Sequence, residues 1–77
     1  MNRLKDLRQD KDMYQKDIAK ILDMSQTGYS QYETETNDIP TDILKKLSLF
    51  YNTSIDYILG MTNEKKPYPR GNLSKKK

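Results

Sequence analysis

The sequence predicts an all-α domain of five short helices, and three observations carry that prediction. Apolar residues recur at spacings of three and four along most of residues 2–59, the period of a helix with one buried face. Ser, Asn, Asp, Gly and Pro interrupt this pattern at short intervals, where caps and turns belong. No stretch alternates apolar and polar side chains with the period of two that a half-buried strand requires. At 77 residues the chain has room for one hydrophobic core and no internal repeat.

Leu4 and Leu7, with Met1 ahead of them, place a first helix over residues 2–11, with Arg3, Lys5, Arg8 and Lys11 on or near its solvent side. Ile18, Ala19, Ile21 and Leu22 place a second over residues 15–22. Its start is weakly signalled: Tyr14 stands where Ser, Thr or Asp is expected, leaving Asp12 as a cap from an earlier register. Ser25 is a good cap for a third helix running to Glu33. Asn37, Asp38 and Pro40 then make a loop, since proline pushes Ile39 out of helical geometry. Ile43, Leu47, Phe50 and Tyr51 form the apolar face of a fourth helix, from Thr41 to its close at Asn52. Ser54 caps a short fifth helix, IDYIL, which Gly60 ends. The expected organisation is a folded body over residues 1–62 and a flexible basic tail over 63–77.

Composition removes several function classes. There is no cysteine and no histidine, so neither disulfides nor ordinary zinc chemistry is expected. No apolar run is long enough to span a membrane, and MNRLKDLRQDKD lacks the apolar region of a secretory signal, which reads as cytoplasmic. With no Gly-rich phosphate loop and carboxylates scattered on helix surfaces, no enzyme and no cofactor are expected; Asp17 and Glu33 suit helix ends and surface hydrogen bonds. The formal charge of +3 is unevenly placed. Residues 64–77 hold six basic side chains against Glu64, whereas residues 1–63 hold 8 basic and 10 acidic ones. Bulk charge therefore points to nucleic acid only through the tail, where Lys65, Lys66, Arg70 and Lys75 to Lys77 serve either as a DNA-contacting arm or as a solubilising terminus.

The stretch SQTGYSQYE, residues 25–33, carries the functional argument. At about 100° per residue, Gln26, Ser30, Thr27 and Gln31 share one face while Gly28, Tyr32 and Tyr29 share the other. The tyrosines then pack inward and leave an uncharged stripe of side chains that both donate and accept hydrogen bonds. Such groups suit base edges in the major groove: Gln pairs with adenine, a Thr methyl meets thymine, and Ser serves either. A merely solvated polar face is the alternative on wheel geometry alone.

Around this helix, YQKDIAKILDMSQTGYSQYE lays out helix, short turn and helix, the arrangement in which the second helix enters the groove and the first crosses the backbone. With LKDLRQDKDMYQKDIAKILDMSQTGYSQYE and DIPTDILKKLSLFYNTSIDYILG, residues 3–60 resemble the Xre/Cro-type, lambda-repressor-like helix-turn-helix family. That resemblance implies a compact five-helix DNA-binding domain reading double-stranded DNA. It implies base contacts from Gln26, Thr27, Ser30 and Gln31, and phosphate or positioning contacts from Gln15, Lys16, Ser25, Asn37 and Thr41, with Gln15 bracing the start of the reading helix.

Three features depart from the family pattern. Asp23 holds a turn position that is usually Gly, Gly28 weakens its helix by about 1 kcal/mol relative to Ala, and ETETND offers acidic side chains where relatives often present Lys or Arg to phosphate. Modest, salt-sensitive affinity is the expectation. One helix reads few base pairs, so a homodimer on a short palindromic operator is expected, at least on DNA. Ile55, Tyr57, Ile58, Leu59 and Met61 supply either its contact surface or the core beneath the fifth helix. The resulting expectation is a transcriptional regulator of the repressor kind in a bacterial or phage-infected cell. The alternative is an antitoxin or phage-type interaction module that uses the same fold to bind a partner protein.

Overall fold

The computed structural model describes residues 1–67, and the five helices it contains are α1 (Leu4–Asp10), α2 (Gln15–Ile21), α3 (Gln26–Glu33), α4 (Thr41–Tyr51) and α5 (Ile55–Ile58). No strand occurs among the described residues. Ser25 and Ser54 cap α3 and α5, each hydroxyl accepting a first-turn amide, from Gly28 and Tyr57, at 3.0 Å. The start of α2 is solved differently. Asp12 lies at φ 55° in the turn and does not cap; the Asp17 carboxylate reaches back to accept the Tyr14 amide at 2.9 Å. Asn52 ends α4 in the left-handed conformation, and Gly60, at φ 81°, follows α5. A side chain on Gly60 would run into the Met1 carbonyl, so the two ends of the body meet at a residue without one.

Leu4, Leu7, Ile18, Ala19, Leu22, Tyr29, Leu44, Leu47, Tyr51 and Ile58 form the core. Every helix contributes to it, and α3 packs on α2 and α1. The buried face of α4 is centred on Leu44, Leu47, Ser48 and Tyr51, which shifts the expected face: Ile43 and Phe50 are only half-buried at its margin. Around Tyr29 the ring of Tyr32 stands edge-on, with centroids 6.5 Å apart.

Two arginines expected near the solvent side of α1 are instead drawn into the body. Arg8 pairs with Glu33 of α3. Arg3 stacks over the Tyr57 ring at 4.1 Å and donates to the carbonyls of Tyr57 and Thr62 and to Asn63 Oδ1. The segment after α5 is tied again where the Thr53 hydroxyl donates to the Lys65 carbonyl. Arg70 and Lys75 to Lys77 of the basic tail lie outside the described residues. No helix among the described residues is long and apolar enough to cross a membrane.

Candidate nucleic-acid interface

The placement of α3 follows from its inner face. Tyr29 is fully buried, Tyr32 packs against the core, and the Glu33 side chain is only 4% exposed. Glu33 meets Arg8 of α1 with both oxygens: Nε donates to Oε2 at 2.7 Å and Nη2 to Oε1 at 3.1 Å. Arg8 also donates to the Met13 carbonyl at 2.9 Å, linking the pair to the α1–α2 turn. Gln15, at the start of α2, donates from Nε2 to Glu33 Oε1 at 3.1 Å. Three helices therefore converge on one carboxylate. The bracing by Gln15 acts at the end of α3, whereas the family resemblance implied its start.

Charge in this cluster is balanced by its geometry. Burial works to raise the Glu33 pKa, but hydrogen bonds from Arg8 and Gln15 and the Arg8 charge prevail and hold it below the ordinary carboxylate value. The hydrogen bond to Glu33 raises the Arg8 pKa in turn. Burial, reinforced by the Glu33 charge, raises Tyr29 and pushes Tyr51 up to about 12. Glu33, read from sequence as surface-facing and as part of an acidic loop, is thus internal and neutralised. Glu35 stays exposed, its carboxylate accepting the Asn2 backbone N–H at 3.1 Å. With Glu33 inside, the loop is less acidic toward solvent than its sequence implies, while Glu35 and Asp38 stay exposed.

With that side anchored, Gln26 and Thr27 are exposed and Ser30 and Gln31 half-exposed on the opposite side of α3. The four candidate base-reading residues thus occupy the outer face together. Ser25 is exposed, but its hydroxyl accepts the Gly28 amide and so serves as the cap. A methyl on Gly28 would stand 3.1 Å from both this hydroxyl and the end of Met24, so a glycine here leaves room for the cap. Lys16 and Thr41 are exposed at the starts of α2 and α4, where unpaired amides favour an anion.

Asn37 is placed otherwise than a simple phosphate contact. Its backbone N–H donates to the Gln31 carbonyl at 3.2 Å and its side-chain Nδ2 to Gln31 Oε1 at 2.6 Å. Its backbone and side-chain nitrogens therefore both donate to a residue of the reading face. Among the apolar residues near α5, Ile58 is wholly buried and has no surface to offer a second copy. Ile55, Tyr57 and Leu59 are half-buried against the core, and Met61 is 74% exposed.

Residues 4–58 match the family model described as helix-turn-helix. The HTH-type transcriptional regulator ImmR of Bacillus subtilis (strain 168) is 45% identical over 58 residues, which is 75% of this chain and 46% of that protein. A second protein of the same organism, the uncharacterized HTH-type transcriptional regulator YobD, is 34% identical over 65 residues, 84% of this chain and 58% of that protein. The chain spans about half the length of the curated relatives it matches. No solved structure shows a significant match.

Proposed function

The chain belongs to the Xre/Cro-type helix-turn-helix family, and from that premise we propose that it is a sequence-specific DNA-binding transcriptional regulator of the repressor kind. It reads a short palindromic operator as a homodimer, with α3 in the major groove and α2 across the backbone. The observation that carries this reading is the two-sidedness of α3. Its inner side is pinned from α1 and α2 through Glu33, while Gln26, Thr27, Ser30 and Gln31 stand together outside. A helix fixed from behind can hold hydrogen-bonding groups against base edges without losing their register.

Phosphate contacts come from Lys16, from the exposed start of α4 at Thr41, and from the α3 N-terminus at Ser25. Gln15 acts indirectly, by holding the end of α3. The named relatives, both transcriptional regulators, support the same assignment. The working compartment is the cytoplasm of a bacterial or phage-infected cell, where DNA is directly accessible.

The test is selection of bound sequences from a random DNA library at low salt, with the Gln26→Ala, Gln31→Ala double variant run in parallel. The expected result is an inverted-repeat motif that the variant loses. Failure of the folded wild-type protein to enrich any motif overturns the DNA reading and turns attention to a protein partner, as for an antitoxin or phage-type interaction module.

A further inference from the structure

We infer that Asn37 is a positioning residue for base reading, one that sets which edge of the Gln31 amide faces the DNA and thereby the base that Gln31 selects. The inference rests on the reading of α3 as the recognition helix and names a determinant of its specificity.

A glutamine amide has an acceptor edge and a donor edge, and a freely rotating amide can present either. Gln31 is not free. Asn37 Nδ2 donates to Gln31 Oε1 at 2.6 Å, while no hydrogen bond among the described residues engages Gln31 Nε2. The oxygen is turned to Asn37, with one of its two lone pairs occupied, and the NH₂ donor is left over. Asn37 itself is held in place, because its backbone N–H donates to the Gln31 carbonyl at 3.2 Å. The Thr34 hydroxyl, in contact with Thr36 at 2.9 Å, also donates to that carbonyl, at 3.4 Å. The left-handed Glu35, at φ 63°, turns the chain so that residues 34–37 close over Gln31. The loop thus grips the main chain of the same residue whose side chain it orients.

The consequence is chemical. An amide presenting NH₂ pairs with the acceptors of the major groove: guanine O6 and N7, thymine O4 and, more weakly as a single contact, adenine N7. It rejects cytosine, whose groove edge offers only the N4 donor. It also favours adenine less than a free glutamine does, since N7 is still met by the NH₂ but the oxygen, turned to Asn37, is less well placed to accept from N6. Gln31 therefore selects guanine or thymine over cytosine, and Asn37 carries that choice without touching the base.

The experiment is library selection followed by binding to single-base operator variants, with four proteins: wild type, Gln31→Ala, Asn37→Ala and Asn37→Asp. Gln31→Ala identifies the base pair that Gln31 reads. The inference expects guanine or thymine there, preferred over cytosine by about tenfold or more in the wild type. Asn37→Ala frees the amide and reduces that preference to under about threefold, leaving the other positions of the motif unchanged. Asn37→Asp supplies only acceptors, so Gln31 turns its NH₂ toward residue 37 and its oxygen outward. Preference then moves toward the donors of adenine and cytosine, even though the added negative charge weakens binding to every sequence alike. A wild-type preference kept by both Asn37 variants overturns the inference, as does a motif that Gln31→Ala leaves intact, and in both cases the proposed function stands. A wild-type protein that selects no motif overturns the proposed function and this inference with it.

Discussion

Arg8 of α1 and Glu33, the last residue of α3, form a two-pronged ion pair in which the side chains are 11% and 4% exposed. Taking two charges out of water is costly, and the pair is stable only because each partner compensates the other. Glu33 gains a third bond from Gln15, and Arg8 a further acceptor at Met13. The same arrangement that neutralises the charge also fixes the end of the candidate recognition helix.

Removing one partner strands the other. Glu33→Ala or Arg8→Ala is expected to cost about 3–5 kcal/mol, and the Arg8→Met, Glu33→Leu double variant less than the sum of its parts. Urea unfolding of the three proteins measures this. Single-variant losses below about 1 kcal/mol would show that the pair is not held away from water as the structure describes.

Acid should loosen the same junction. The folded-state pKa of Glu33 lies below its ordinary value of 4.5, so its contribution is fully present above that pH. It is lost as pH falls from there through the depressed folded value. Thermal melts across this range are expected to fall more steeply for the wild type than for Glu33→Gln, and parallel curves would contradict the assignment.

Tyr51 separates packing from polarity. Its ring is buried beside Phe50, with centroids 5.0 Å apart, and its buried hydroxyl interacts with Tyr29 without a well-formed hydrogen bond. Tyr51→Phe is expected to be neutral or slightly stabilising near neutral pH, since it removes a poorly matched buried polar atom. Tyr51→Ala is expected to cost about 3–5 kcal/mol. The raised phenol pKa means stability is intact below the ordinary value of 10.0 and declines toward about 12. Tyr51→Phe should therefore lose less stability than the wild type in that alkaline window, as followed by circular dichroism.

Asp23 sits at φ 57° between α2 and α3. A left-handed backbone is strained for any residue with a Cβ, while glycine gives up more entropy on folding, so the two effects partly offset. Asp23→Gly is expected to stabilise by about 0.5 kcal/mol, raising Tm by roughly 2–4 °C for a domain of this size. A lower Tm would mean that the aspartate contributes more at this turn than its backbone conformation costs.

Phosphate and base contacts differ in their salt and sequence signatures. Lys16→Ala is expected to weaken binding to operator and random DNA by similar factors and to reduce the salt slope by about 0.9. Titrations at several salt concentrations test this. A loss confined to the operator would assign Lys16 to base reading.

Signals acting over a few residues were legible in the sequence. Apolar spacing located all five helices to within a residue or two at most ends, and Ser25, Ser54 and Asn52 stand at the helix ends their chemistry predicts. The wheel of α3 put Tyr29 inside and Gln26, Thr27, Ser30 and Gln31 outside, because helical period alone decides which side chains share a face. Asp17 in place of Asp12 at the start of α2, and Leu44 in place of Ile43 on α4, show how small offsets escape such patterns.

Which charges and amides meet was decided only by the tertiary structure. Arg8 reads as solvent-facing and Glu33 as one acid among several, yet α1 and α3 bring them together across 25 positions. Gln15 reaches Glu33, and Asn37 turns back onto Gln31, for the same reason. A helix period fixes directions around one axis. The partner of a polar side chain depends on how separate axes and loops are packed against each other, and burial then makes that pairing obligatory.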